Sequence, residues 1–286
     1  MGGLIVGSEA MASGLVTRQD LRTRYVKLHY NVYAPKGRTL TAADRAVAAW
    51  LGSRRHAVLV GPSAAAMLGT RWLPDDAPAE LANAGAHAPR GIVIRGDALA
   101  DDELRMARGM HCTTAARTGY DMARRIPNDE GIIRLDALLN ATRCPIADIE
   151  AIAARYPGAR GMRQLRRTLD LVDAGAESPQ ETRLRLLLVR SITPRPVTQI
   201  PVADHRGVVR RRIDMGYPQW MVGVEYDGEQ HFDNPGDYAK DIVRLEFLAE
   251  RGWTIVRVSA RQLRYERPRI VARVKRALDA AGARPS

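Results

Sequence analysis

The chain has 286 residues and a mass of 31.6 kDa, and at roughly 100 to 200 residues per domain this length predicts about two domains. Apolar residues make up 45% and charged residues 27% of the chain, a balance that excludes a wholly disordered protein. Basic residues outnumber acidic ones by 44 to 32, which gives a formal charge of +12 and a pI near 10.3. Polyanions such as DNA are therefore the first partners to expect.

The cysteines and the start of the chain indicate the compartment. The two cysteines, Cys112 and Cys144, form no CxxC pair and have no histidine at metal-ligand spacing, which excludes a zinc framework and a disulfide scaffold. The N-terminal residues lack the basic region of a secretion signal, and no apolar run is long enough to cross a membrane. We therefore expect a cytoplasmic protein in a reducing compartment, with no membrane partner.

Residues 1–75 form the first predicted region, which is built from short, alanine-rich elements. Thr17 is placed to cap the first helix, and the apolar alternation that follows is typical of a strand. A proline and a glycine interrupt this pattern before Thr41 and Asp44 open the next helix. The predicted elements are helices at 17–24, 41–51 and 62–68 and one strand at 26–32.

Residues 76–172 form a mixed, mainly helical middle region. The segment 72–90 is rich in proline, aspartate, alanine and glycine, which predicts loops, and a buried strand follows at 91–95. The predicted helices cover 113–125, 135–140, 146–155 and 160–172. Four arginines on the last helix form a stripe that lies on a phosphate backbone or is an ordinary solvated face: Arg160, Arg163, Arg166 and Arg167.

Residues 173–286 have a more regular pattern. Ser178, Pro179 and Glu181 have the form of an N-cap, a proline at the first helical position and an acid at the third. Three extended segments follow this helix, and a turn joins the last two into a hairpin. The predicted order is a helix, strands at 197–202, 208–215 and 220–227, a helix at 238–251 with Ile242, Leu245, Phe247 and Leu248 toward a core, a strand at 253–258 and a final basic helix.

Three acids are predicted to meet at one edge of this C-terminal sheet. Glu225 and Asp227 alternate along one strand and so point to the same side, and Asp214 lies on the neighbouring strand of the hairpin. Like charges at a strand end repel one another unless a cation is present. Hard oxygen donors of this kind suit Mg²⁺ or Mn²⁺, which can activate a water for the hydrolysis of a phosphodiester.

The same acids belong to a longer motif. Asp214, the run from Glu225 to Gly228 and a set of residues further along the chain resemble the very-short-patch-repair-like endonucleases, a family of unknown function within the PD-(D/E)xK nuclease superfamily. The further matching residues are Gln230, His231, Asp241, Arg244, Gly252, Trp253, Val256 and Arg257. The resemblance covers about residues 173–282 and implies a restriction-endonuclease-like mixed sheet flanked by helices.

The resemblance also implies roles for the site residues. Asp214 and Glu225 would bind the divalent metal, Asp227 would be a further site acid, and the acid assisting from the first helix would be Glu181. The superfamily usually has a lysine at the position of Asp227, and an acid cannot replace that cation. One of two neighbouring side chains, Gln230 or His231, would then orient the attacking water or assist the leaving group.

Most of these residues also have an interpretation without catalysis. The alternatives are a capping box for Glu181, a strand-ending turn for Asp227 with Gly228, a polar loop position for His231 and a surface ion pair for Asp241 with Arg244. Asp214 is the hardest to explain in this way, because a β-prone strand does not favour an acid between Ile213 and Met215.

The end of the chain carries its densest run of positive charge. The arginines predicted to hold a DNA backbone are Arg257, Arg261, Arg264, Arg269 and Arg273. Because this run follows the strand that completes the nuclease core, its contacts would position a duplex without reading its bases. The alternative is a solvated amphipathic helix that packs through Ile270, Val274 and Leu278.

The N-terminal half carries a second resemblance. The segments 14–22 and 30–35, with Ala57-Val58-Leu59 and Ser63-Ala64-Ala65, resemble the AbiEi-like antitoxins of type IV toxin–antitoxin systems over about residues 8–125. Those proteins begin with a winged helix, which implies DNA binding and a cognate toxin or other protein as partner. Only one clear helix precedes the predicted wing here, so the helix-turn-helix is truncated or irregular.

Together these patterns predict an α/β (α+β) protein with a winged-helix-like and helical region before the nuclease-like sheet. The leading hypothesis is a Mg²⁺-dependent endodeoxyribonuclease or another DNA-processing protein. The alternatives are a non-catalytic, antitoxin-like DNA-binding regulator with a degenerate nuclease fold, and a module that binds a protein partner. Because no Gly-Lys-Ser/Thr follows the glycines at 61–69, we expect no nucleotide cofactor.

Overall fold

The computed structural model describes residues 3–82, 89–192, 194–228 and 235–283, with side chains of the last range from residue 242 onward. The chain divides into two compact units, residues 1–170 and 171–286. The architecture is mixed α/β, since the described residues contain 12 α-helices and three sheets of three, four and five strands.

The first unit opens with a small antiparallel sheet of order β1-β3-β2. Its elements are β1 (Ile5–Val6), α1 (Gly7–Ala12), α2 (Arg18–Thr23), β2 (Tyr25–His29) and β3 (Val32–Pro35). The Thr17 side chain accepts the N–H of Asp20, whose carboxylate accepts the Thr17 N–H in return. This reciprocal pair confirms the predicted start of α2.

The strand predicted at 26–32 is confirmed over residues 26–29, but its continuation to residue 32 as one strand is wrong. The segment is a hairpin, because Asn31 adopts a left-handed backbone with φ 58° and turns the chain between β2 and β3. Asparagine tolerates that conformation better than most residues do. A second helix, α1, also precedes the hairpin, although only one was expected.

A five-stranded mixed sheet of order β6-β5-β4-β8-β7 forms the centre of the first unit. Its core contains the fully buried Ala46, Leu59, Leu81 and Cys112. Its elements are α3 (Ala42–Gly52), β4 (Val58–Leu59), α4 (Gly61–Met67), β5 (Ala79–Ala82), β6 (Ile92–Arg95), β7 (Leu104–Ala107) and β8 (Met110–Thr113).

The loop predicted over 72–90 is wrong in part. The strand β5 lies within it, with Ala79, Leu81 and Ala82 buried. Its composition is poor in β-branched residues, so local propensity gave no signal of a strand. The strand forms because both of its edges are paired, with β4 on one side and β6 on the other.

Four helices complete the first unit, as predicted, and the predicted segment 146–155 agrees in both bounds, while the bounds of the other three differ. They are α5 (Ala115–Arg125), α6 (Asn128–Thr142), α7 (Ile146–Arg155) and α8 (Met162–Leu169). The second, α6, starts earlier than predicted because Pro127 precedes it and Asp129 and Glu130 occupy its first turn. The four arginines of the predicted stripe on and before α8 are exposed, with Leu165 buried beside them.

The second unit is a four-stranded mixed sheet with helices on both faces. Its strand order is β12-β11-β10-β9, with the last two pairs antiparallel and β11 parallel to β12. The elements are α9 (Pro179–Val189), β9 (Val197–Ala203), β10 (Val209–Tyr217), β11 (Val222–Asp227), α10 (Pro235–Glu250), β12 (Thr254–Ser259), α11 (Ala260–Tyr265) and α12 (Arg267–Ala280).

Each face of this sheet has its own hydrophobic core. On one face Leu184 of α9 and Val274 of α12 pack against Val224 of β11. On the other face Leu248 of α10 packs with Ile213 of β10 and Trp253. Fully burying an aliphatic side chain stabilises a fold by about 1.5 to 3 kcal/mol, so these two layers fix the position of the strands between them.

Two details of the C-terminal prediction are corrected. Ile242 was placed toward the core, but it is exposed, whereas Leu248 of the same helix is buried as predicted. The final basic helix is two helices, α11 and α12, which meet at Glu266, and Pro268 lies in the first turn of the second. Within the described part of the chain, no helix is both long and apolar enough to span a membrane.

Candidate functional site

The β10–β11 hairpin ends its ladder just before the predicted acids. Residues 215–217 pair with 222–224, and Asp214 is the next residue on β10. Its Oδ2 accepts the backbone N–H of Tyr226 at 2.8 Å, so a carboxylate takes the place of a ladder hydrogen bond. Asp214 is thereby held at the point where the two strands separate.

Glu225 lies beside this point and is buried, with only 4% of its side chain exposed. The guanidinium group of Arg244 donates to both of its oxygens, with Nη1 2.8 Å from Oε2 and Nη2 2.5 Å from Oε1. This two-point contact joins α10 to β11. A buried carboxylate requires such a partner, because an uncompensated charge in the interior is costly.

Glu181 approaches from the first turn of α9. Its Oε2 accepts the N–H of Glu177 at 2.9 Å and its Oε1 accepts the Ser178 hydroxyl at 2.8 Å, while the Ser178 Oγ accepts the N–H of Glu181. The predicted cap is confirmed. The capping role does not remove Glu181 from the site, because its charge interacts with that of Asp214.

The pKa values of Asp214 and Glu181 are raised by burial and by the charges of neighbouring acids. The pKa of Asp214 is raised to about 6, chiefly by burial and also by the nearby Glu225 charge, while the Tyr226 N–H and Arg244 oppose the rise. Burial likewise raises the pKa of Glu181, with a contribution from Asp214. Three acids from α9, β10 and β11 therefore share one electrostatic environment.

Asp227 has a different partner. Its Oδ2 accepts a hydrogen bond from Arg257 Nη2 at 2.7 Å, across the parallel pair of β11 and β12. Two residues that the sequence assigned to separate roles, site acid and DNA contact, are therefore in contact with each other. Gln230 and His231 lie outside the described residues, as does the side chain of Asp241.

The remaining predicted DNA contacts lie on the last two helices. Arg261 and Arg264 of α11 are exposed, as is Arg269 of α12, which donates to Glu266 at 2.8 Å. Arg273 is half-buried and reaches Gln262 at 3.4 Å. The packing residues named in the alternative, Ile270, Val274 and Leu278, are buried. The amphipathic helix is thus present, and DNA binding by its basic face stays a prediction.

Sequence reasoning missed the role of Arg244. Its spacing from Asp241 suggested a surface ion pair within one helix, but its guanidinium group contacts Glu225, which lies 19 positions earlier on the preceding strand. Helical spacing carries no information about the sheet against which a helix packs. The available signal was the burial expected for a strand acid, which calls for a cation from a neighbouring element.

The donor set can be compared with what Mg²⁺ requires. Within the described residues, no three histidine, cysteine, aspartate or glutamate side chains are grouped closely enough to hold a metal by themselves. Mg²⁺ usually keeps several waters and binds through one or two carboxylates. Asp214 and Glu225 supply two hard donors at one strand end, so the residues present fit a partly hydrated ion.

Comparisons with known proteins show that the chain is similar to two uncharacterized mycobacterial proteins. No model of a known protein family matches the chain. It is similar to the uncharacterized protein Rv2248 of Mycobacterium tuberculosis (strain H37Rv), at 29% identity over 271 residues, which cover 93% of this chain and 98% of the relative. The uncharacterized protein MT2308 of strain CDC 1551 / Oshkosh matches to the same extent. Because the alignment runs over nearly the whole chain, both units have counterparts in these relatives.

Proposed function

We propose that the second unit is a metal-dependent nuclease domain that hydrolyses phosphodiester bonds of DNA, with Mg²⁺ or Mn²⁺ held by Asp214 and Glu225. The observation that carries this proposal is the position of Asp214, an acid whose pKa burial raises to about 6 beside a second carboxylate. Burial and a neighbouring carboxylate disfavour the charged form of Asp214, and a divalent cation would stabilise that charged form.

The order of elements supports the same proposal. The second unit runs α9, β9, β10, β11, α10, β12 and forms a mixed sheet with helices on both faces. This agrees with the restriction-endonuclease-like fold that the sequence resemblance implies. The two acids assigned to the metal occupy the central strands β10 and β11, where they separate.

A bound metal ion would lower the pKa of a coordinated water and neutralise charge on the phosphodiester. The chain's own residues orient the two proposed metal ligands: the Tyr226 N–H orients Asp214, and Arg244 orients Glu225. The lysine expected at position 227 is absent, and Arg244 brings a guanidinium group from α10 to the Glu225 carboxylate, where its charge also acts on Asp214. We assign to Arg244 the stabilisation of negative charge that the lysine would supply.

Metal titration tests the ligand assignment. Calorimetry with Mg²⁺ and with Mn²⁺ should show binding to the wild type and a large loss of affinity in Asp214→Asn and Glu225→Gln. The matched control is Asp204→Asn, which removes an acid from the β9–β10 strand pair, at its exposed turn. Equal metal affinity in all four proteins would show that the ion, if it binds, binds elsewhere.

A second candidate function is DNA binding without cleavage. The observation in its favour is that two of the acids already have arginine partners, Glu225 with Arg244 and Asp227 with Arg257. Internal ion pairs of this kind can balance the acids without a metal. This candidate predicts DNA binding by the wild type together with no cleavage at any divalent metal concentration.

The N-terminal region supports DNA binding for either candidate function. Two short helices, α1 and α2, precede the β2–β3 hairpin, which is closer to a winged helix than the single helix expected from the sequence. Arg18, Arg22 and Lys27 on α2 and β2 are exposed. On this basis we assign DNA binding to the first unit as well, with a toxin or other protein as a further proposed partner.

A further inference from the structure

The turn between β9 and β10 carries a concentrated positive charge that no role above uses. Every residue from 205 to 212 is exposed, including the first four residues of β10. The stretch contains four arginines and no acid: Arg206, Arg210, Arg211 and Arg212. We call residues 204–212 the basic arm.

The basic arm has a defined shape. Asp204 Oδ1 accepts the N–H groups of Arg206 and Val208 at 2.8 and 3.1 Å, and its Oδ2 accepts Arg210 Nε at 2.7 Å. The hydrogen bond from Arg210 is the main cause that lowers the pKa of Asp204 to about 2. Gly207 has φ 77°, which the turn requires. The arm is therefore ordered before any partner binds.

Three of the four arginines remain able to bind an anion. Arg210 holds Asp204, but within the described part of the chain the side chains of Arg206 and Arg212 make no ion pair, and Arg211 donates only to the Arg210 carbonyl. Extended charged side chains on an exposed strand add little to stability by themselves. An external polyanion would account for their arrangement.

The arm leads directly into the acid site. Arg212 precedes Asp214 by two residues on β10, a separation of about 7 Å at the rise of a β-strand. A phosphate backbone held by the arm would therefore pass close to the acids on the same strand.

We propose that the basic arm inserts into a groove of double-stranded DNA and holds the phosphates next to the acid site. The proposal rests on the proposed function, since it gives the substrate of that site. A two-stranded β-ribbon fits the major groove of B-form DNA, whereas the major groove of duplex RNA is too deep and narrow. Single-strand binders present aromatic side chains for base stacking, and residues 204–212 contain no phenylalanine, tyrosine or tryptophan.

The test measures binding without cleavage. The full chain is titrated onto a short fluorescein-labelled DNA duplex by fluorescence anisotropy, in EDTA and over a series of salt concentrations. In the triple variant R206Q/R211Q/R212Q, binding should weaken, and the log-log salt slope should become shallower by roughly 0.9 for each phosphate contact removed, or about 2 to 3 in all. The matched control is R71Q/R105Q/R108Q, which removes three exposed arginines from the first unit.

The outcomes distinguish DNA binding by the arm from a general effect of positive charge. A loss confined to the arm variant, with its melting temperature unchanged, supports the proposal. Equal losses in both variants would mean that total charge alone matters, and an unchanged slope in the arm variant would place the DNA elsewhere. Either result overturns the proposal, as does an equal effect on a duplex RNA of the same sequence.

The same experiment keeps the two proposals apart. Binding in EDTA does not depend on the metal or on Asp214, so an arm-dependent slope supports the arm even if the wild type shows no cleavage. Conversely, metal-dependent cleavage by the wild type together with unchanged binding of the arm variant would retain the nuclease and reject the arm.

Discussion

At the scale of single residues, Asp214 combines two demands that oppose each other. Its Oδ2 is needed by the Tyr226 N–H, which would otherwise lack the partner that the ladder gives its neighbours. Its charge, however, is disfavoured by burial and by Glu225. An asparagine would keep the acceptor and lose the charge, so the hydrogen bond alone does not require an acid here.

The charged form of Asp214 is therefore predicted to lower the folding stability in a pH-dependent way. The folded pKa of Asp214, about 6, exceeds its ordinary value of 3.8, so between these pH values the unfolded chain releases its proton first and folding stability falls as pH rises. Without divalent metal, the free energy of unfolding of Asp214→Asn at pH 7 should therefore exceed that of the wild type by up to about 3 kcal/mol. The two proteins should be equally stable below about pH 4.

Urea unfolding at several pH values, in EDTA, measures this difference. Asp204→Asn is the control of opposite sign, because the pKa of Asp204 is lowered to about 2 and its charged form stabilises the turn above that pH. Equal stabilities of wild type and Asp214→Asn at pH 7 would contradict the burial and charge environment assigned to Asp214.

The second residue-scale prediction concerns Arg244. Replacing it with glutamine leaves the buried Glu225 carboxylate without its two-point cation. The expected cost is about 2 to 4 kcal/mol, near the lower end for a broken buried pair, because Arg244 is partly exposed. If a divalent ion binds Asp214 and Glu225, Mg²⁺ should stabilise Arg244→Gln more than it stabilises the wild type.

The matched variant for this comparison is Arg244→Lys. It keeps a positive charge but loses the bidentate geometry, so its stability should lie between those of the wild type and the glutamine variant. Thermal unfolding with and without Mg²⁺ gives the measurement. If Mg²⁺ raises the melting temperature equally in all three proteins, Glu225 is not a ligand of the metal.

At the scale of elements, the β10–β11 hairpin determines where the acids lie. Gly216 faces Gly223 in its register, and a Cβ at position 216 would collide with the Val222 carbonyl oxygen and come within 2.9 Å of the Gly223 Cα. Both obstacles are backbone atoms, which cannot move aside as a flexible side chain can. The two glycines therefore let the strands pair closely just before they separate at Asp214.

Gly216→Ala should consequently destabilise the second unit by about 1 to 3 kcal/mol and weaken metal binding with it, because the hairpin moves the acids. Gly228→Ala is the control, since among the described residues the nearest atom to a Cβ there is Tyr226 Cε1 at an ordinary 3.8 Å. Chemical unfolding of both variants checks the prediction. A Gly216→Ala protein as stable as the control would show that the hairpin has more room than its register indicates.

Elements also show what a sequence can and cannot predict. Caps at Thr17, Thr41 and Ser178 were predictable because the capping residue and its partner are only three positions apart. The strand β5 and the turn at Asn31 were not, since one depends on pairing with distant strands and the other on a single left-handed residue. Local chemistry is visible in a sequence, and pairing across the fold is not.

At the scale of the whole molecule, the same distinction applies to the site. Its acids could be proposed because strand alternation placed Glu225 beside Asp227, the predicted hairpin brought Asp214 to the neighbouring strand, and the resemblance selected Asp214 and Glu225. Their arginine partners were not, because Arg244 and Arg257 reach them from other elements. The basic arm was missed for a related reason, since three of its four arginines lie in the strand predicted at 208–215 and only the structure shows that all four are exposed.

The charge of +12 is distributed over both units, and exposed arginines occur in the first unit as well as on the basic arm and the last helices. Total charge therefore predicts nonspecific attraction to polyanions but not the path of a nucleic acid. The proposed path runs over surfaces near the acids of the second unit, which is the reason for pairing the arm variant with a control of equal charge.

The most direct test of the central claim is cleavage of supercoiled plasmid DNA by the purified full chain, with Mg²⁺ or Mn²⁺ and with EDTA. We predict nicked or linear product with metal, none in EDTA, and none from Asp214→Asn, while a control that removes an exposed acid of α12, Asp279→Asn, cleaves as the wild type does. DNA binding by Asp214→Asn should persist, since the substitution removes negative charge near the backbone. No cleavage by a wild type that binds DNA, or equal cleavage by Asp214→Asn, would contradict the assignment of a metal-dependent nuclease to this site.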